Sequence, residues 1–181
     1  MIPTPPLRLR NRLAETILTA LSDPAARRQL DAQDFAWLGE ASAEQAALVR
    51  ARARRASEAL AGCPPLRAEP SLEEALAAGA ALFDAGLYFE VHELLEPHWT
   101  RAAGAERQAL QGLIQIAVAF QHLANGNVEG ARSLLVEGSA HLRDGRLPGL
   151  DLDRFAEAAR AAASRVADAS PVTIPPFPRT T

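Results

Sequence analysis

The stretch YFEVHELLEPHW, residues 88–99, gathers Glu90, His92, Glu93 and Glu96, four groups able to move protons or hold cations. On a helix, His92 and Glu96 are four residues apart and Glu93 and Glu96 three apart, so each pair can share a ligand. An imidazole among carboxylates suits zinc, iron or manganese. The same groups suit general acid–base chemistry, or capture of a cationic or hydroxyl-rich small molecule. HELLE lacks the second histidine of the H-E-x-x-H zinc-protease motif, and the paired Glu-x-x-His motifs of di-metal bundles are missing. P-loop and nucleophile-elbow motifs are also absent.

A solvated amphipathic helix would account for the acids alone. Val91, Leu94, Leu95 and Tyr88 fall on one side of the wheel and His92, Glu96, Glu93 and Glu90 on the other. Phe89, however, lies in the middle of the acidic side, where a solvated face does not call for a ring. The next segment, ERQALQGLIQIAVAFQHLANG (106–126), is apolar nearly all round, the pattern of a buried helix. Gln108, Gln111, Gln115 and His122 form one stripe on it. Buried amides and imidazoles need partners, because stranding one costs about 1–3 kcal/mol.

The short RAAGA connection predicts that the two helices run antiparallel. The economical pairing sets the Gln/His stripe against the His/Glu face, with Gly112 beside it permitting close approach. The expected ligand-binding set is Glu90, His92, Glu93, Glu96, Trp99, Gln111, Gln115 and His122. Within it, His92, Glu93, Glu96 and His122 are the candidate ligands for a divalent metal ion. The competing reading is a structural or adaptor protein in which the cluster is only a packing network.

The elements that must position these groups are all helical. Leu9, Leu13, Ile17 and Leu21 keep helical spacing. Asp23-Pro24 restarts the chain, and Asp31 is placed to cap a short AQDFAWLG piece. Ser42, with Gln45 completing a capping box, opens a helix to about Ala61. In its VRARARRA segment, Val49, Ala53, Ala56 and Leu60 form the apolar stripe and the arginines spread around it as a solvated face. CPPLRAEP (63–70) is the clearest boundary, and Ser71 opens the next helix, which stops at Gly86. Helix-forming sequence resumes at Leu87 or Tyr88 and continues to about Arg101, with Pro97 expected to bend or end it early. Asn127 and Asp151 cap the last two helices. The Pro-rich tail is extended, with Phe177 expected in an apolar groove of the bundle.

The fold expectation is therefore all-α: a compact helical bundle with an N-terminal helical extension and an extended Pro-rich C-terminal tail. The boundaries fall at 1–65 for the N-terminal region, 66–170 for the motif-bearing bundle and 171–181 for the tail. The 181 residues suffice for one core, drawn from aliphatic side chains because only 5% are aromatic. A net charge of −3 gives no reason to expect nucleic-acid binding, and all 19 basic residues are arginine. The single cysteine, Cys63, excludes an intramolecular disulfide and fits a cytoplasmic protein. No stretch has signal-peptide or membrane-spanning character. A small-molecule or protein partner and homo-oligomerisation are left open.

Three motifs in order also carry a resemblance. FDAGLYFEVHELLEPHW and RQALQGLIQIAVAFQHLANGNVEGARSLL look like the domain of unknown function 309 family. Its aromatic-Glu-x-His-Glu-x-x-Glu-x-x-Trp run falls on Phe89 through Trp99, its Gln-Gly-Leu-Ile-Gln on Gln111 through Gln115, and its Gly-Asn-x-x-Gly-Ala on Gly126 through Ala131. The resemblance spans roughly residues 71 to 145. It implies a small all-helical domain of a bacterial, cytosolic protein and carries no catalytic role to any residue.

Overall fold

The computed structural model describes residues 1–179. The chain is all-α: α1 (Leu7–Thr19), α2 (Pro24–Ala32), a 3-10 turn (Ala36–Glu40), α3 (Ala43–Ala61), α4 (Leu72–Asp84), α5 (Tyr88–Arg101), α6 (Gly104–Ala124), α7 (Val128–Asp144) and α8 (Leu152–Ala167). Among the described residues there is no strand, and no helix is long and apolar enough to cross a membrane.

Local side-chain chemistry sets most helix starts. The Ser42 hydroxyl accepts from the Gln45 backbone N–H and the Gln45 side chain accepts from the Ser42 N–H, each at 3.2 Å. Ser71 and Glu74 repeat the arrangement at α4. Asp23, Asn127 and Asp151 cap α2, α7 and α8. Each satisfies N–H groups that a helix start leaves unpaired. Gly86, at φ +77°, closes α4 with its N–H on Phe83 and the next N–H, of Leu87, on Leu82.

One expected cap is displaced, and one expected early stop does not occur. Asp31 is not a cap; it lies inside α2 and accepts from the Ser57 hydroxyl of α3. Pro97 does not end α5, which continues to Arg101. Leu95 before it is fully buried and Trp99 after it packs on the core, so tertiary contact carries the helix past the missing donor.

Phe83 is the centre of the core. Its ring meets Tyr88 at 5.1 Å and both Phe120 and Phe155 at 5.8 Å, all edge-on. These contacts join α4, α5, α6 and α8. Phe177 of the extended C-terminal segment stacks on the same ring at 5.2 Å and is 2% exposed. Its N–H donates to Asp84 Oδ1, and Arg179 pairs with the other oxygen of that carboxylate.

Helix directions follow from paired contacts. Tyr88 near the start of α5 meets Phe120 near the end of α6, while Trp99 near the end of α5 meets Arg107 near the start of α6. The two helices are antiparallel, as the short connection requires. α6 and α7 approach so closely that a Cβ at Gly112 would stand 2.7 Å from the Gly138 carbonyl oxygen and from the Leu142 side chain. Glycine at 112 and 138 makes this seam possible.

Candidate functional site

The two polar stripes do not face each other, contrary to the sequence expectation. The α6 stripe turns onto α7. Gln108 Oε1 pairs with His141 Nδ1, Gln115 Nε2 donates to Glu137 Oε2 at 3.4 Å, and His122 Nδ1 meets Asn127 Nδ2 at 2.9 Å. Gln111 lies between them, half-buried. The physical cause is the Gly112–Gly138 seam: the smallest residues draw α7, rather than α5, against this side of α6.

The acidic face of α5 turns onto α1. The Arg10 guanidinium lies 4.0 Å over the Phe89 ring, and Leu18 and Leu21 line a groove with Leu94, Pro97 and His98. α1 therefore runs parallel to α5. The position of Phe89 on a polar face is explained: it is 8% exposed because α1 covers it.

His92, Glu93 and Glu96 are brought together. His92 Nδ1 is 3.1 Å from Glu93 Oε1, and His92 Nε2 is 4.0 Å from Glu96 Oε2. One donor atom from each lies within 4.8 Å of the others. His92 and Glu93 are half-buried and Glu96 is exposed. His92 and Glu93 line a cavity of about 570 Å³ whose opposite wall is α1, with Arg10, Asn11, Glu15 and Thr19. Glu93 also lines the neighbouring groove of about 570 Å³ under Pro97 and His98. Burial, aided by the Arg101 charge, lowers the basicity of His98 there.

The other expected members stand elsewhere. Glu90 is fully buried and its Oε2 accepts from Arg52 Nη2 at 2.9 Å, so it holds α3 against α5. His122 is at the far end of α6 with Asn127. Trp99 is stacked under Arg107, 4.1 Å from the guanidinium carbon, and its backbone carbonyl accepts from Arg107 Nη1.

The VRARARRA pattern places Arg52 among the solvated arginines, yet it is 2% exposed. The signal was present. Arg52 stands three residues after Val49 and four before Ala56, on the margin of the apolar stripe. Arg10 and the rest of α1 carried no motif, and only their packing reveals them as a wall of the site.

The donor set fits a divalent ion in type, since imidazole and carboxylate oxygens are ordinary ligands of zinc, manganese and iron. Ligand bonds of about 2.0–2.2 Å put donors roughly 3–3.5 Å apart around one ion. The His92–Glu93 separation of 3.1 Å already lies there, and the exposed Glu96 carboxylate has the freedom to swing inward. Three protein ligands would leave an ion there with room for a further ligand.

A family model described as Domain of unknown function (DUF309) matches residues 76–134. The match contains His92, Glu93 and Glu96 and lies inside the stretch of roughly residues 71 to 145 that the resemblance spans, while α1, α2 and α3 lie outside it. No curated protein and no solved structure matches the chain. The match over residues 76–134 supports the resemblance to the domain of unknown function 309 family that the three motifs carry.

Proposed function

We propose that this helical protein binds a divalent metal ion through His92, Glu93 and Glu96, in the cleft between α5 and α1. The observation that carries the reading is the convergence of one imidazole and two carboxylates within 4.8 Å. The cleft supports it: one wall is apolar Phe89, and the cavity volume is that of a small-molecule site. An ion with open positions there would serve as a Lewis acid or hold a ligand group.

The α6 half of the polar residues has a structural role in this reading. The Gln108–His141, Gln115–Glu137 and His122–Asn127 contacts favour a packing network between α6 and α7 for the α6 stripe. Metal content after equilibrium dialysis against zinc, manganese and iron(II) tests the proposal. One ion per chain is expected, lost in Glu93→Gln. No uptake of any of the three would end it.

A further inference from the structure

The wall opposite the proposed ligands holds a guanidinium oriented by two neighbouring side chains. Arg10 Nε and Nη2 both donate to Asn11 Oδ1, at 3.1 and 3.0 Å, and the Phe89 ring supports its face at 4.0 Å. Arg10 takes part in none of the ion pairs formed among the described residues, although Glu15 and Glu93 line the same cavity. A guanidinium stacked on a ring and pinned along one edge presents its other edge as a preorganised fork. That geometry matches the planar pair of oxygens in a carboxylate or phosphoryl group.

We propose that the α1–α5 cleft binds a small oxyanion, a carboxylate or phosphoryl group, held between Arg10 and the metal ion at His92, Glu93 and Glu96. The proposal rests on the metal reading and gives it a ligand class. Charge makes the binding conditional. Without the ion, the Glu15 and Glu93 carboxylates outnumber the single Arg10 charge and repel an anion. A divalent cation reverses the balance. The ion supplies an open position for one oxygen, and Arg10 supplies N–H donors for the rest of the group. Arg10 lies outside the residues matched by the family model, so this specificity belongs to the N-terminal helices of this chain.

The test uses the full chain loaded with cobalt(II), whose visible absorption reports both the ion and changes in its ligands. Cobalt titration comes first, then separate titrations with inorganic phosphate and with acetate. The expected result is a saturable spectral change with at least one anion, absent without cobalt. The tighter anion identifies the class. Arg10→Gln should bind cobalt like the parent but hold the anion roughly tenfold or more weaker, the scale of a lost charge-assisted pair. Arg10→Lys, which keeps the charge and loses the fork, should fall between. Equal anion binding by parent and Arg10→Gln, or no anion binding to the cobalt-loaded parent, overturns the inference and leaves the metal reading intact. Failure of the parent to bind cobalt overturns both.

Discussion

Arg52 Nη2 on α3 lies 2.9 Å from Glu90 Oε2 on α5, with both side chains closed off from solvent. This pair fastens α3 of the N-terminal region to α5, within the stretch that the family model matches. Arg52 Nη1 also reaches the Ile2 carbonyl at 3.4 Å, and Arg55 donates to the Ala85 carbonyl at the α4–α5 corner. Arg52→Ala strands the Glu90 carboxylate and should cost about 3–5 kcal/mol in urea unfolding. The double variant Arg52→Met with Glu90→Leu should recover most of that loss, because no buried charge is left alone. An Arg52→Ala protein as stable as the parent would show that the pair does not hold α3 to α5.

Much of the fold was legible in the sequence, and the reason is local. Ser42 with Gln45, Ser71 with Glu74, Asn127 and Asp151 each specify a helix start by hydrogen bonds within three residues. The candidate site was only half legible. Spacing told which residues of α5 share a face but not which helix lies opposite. The Gln/His stripe of α6 looked like the natural partner, yet Gly112 and Gly138 bring α7 there instead. Arg10 and Glu90 were misread or missed because their roles depend on contacts made across 79 and 38 positions of chain, with Phe89 and Arg52 respectively.

The α6–α7 seam predicts its own sensitivity. Gly112→Val puts a branched side chain where a Cβ alone would stand 2.7 Å from the Gly138 carbonyl oxygen. Backbone on one side leaves little room to yield, so unfolding free energy should drop by about 1–3 kcal/mol or more. Thermal unfolding with circular dichroism detection reads this. A neutral Gly112→Val would mean that α7 does not approach α6 so closely.

The C-terminal segment should contribute to stability. Phe177 is 2% exposed and packs on Phe83 and Phe155. Phe177→Ala should cost about 3–5 kcal/mol, the scale of emptying a buried aromatic site. Truncation after Ser170 should lower the melting temperature at least as far. Unchanged melting in both proteins would contradict the observed packing.

The capping box of α4 gives a pH signature. Hydrogen bonds from Arg67 and from Ser71 hold the Glu74 carboxyl down at about 2, below its ordinary 4.5. Its contribution is therefore present above the ordinary value and is lost as pH falls from about 4.5 toward about 2. Glu74→Gln should be less stable than the parent at neutral pH, and the gap should close across that window. A gap independent of pH would assign the effect to capping shape alone.

The central claim is that His92, and not His122, belongs to a metal site. Isothermal titration of the full chain with zinc, run on the parent, His92→Ala and His122→Ala, tests it most directly. The account predicts one site per chain in the parent and more than about tenfold weaker binding in His92→Ala, since loss of even an outer partner costs about 10–100-fold. His122→Ala should bind like the parent, because His122 stands with Asn127 at the far end of α6. A parent that takes up no zinc, or a His92→Ala protein that binds as tightly as the parent, would contradict the account.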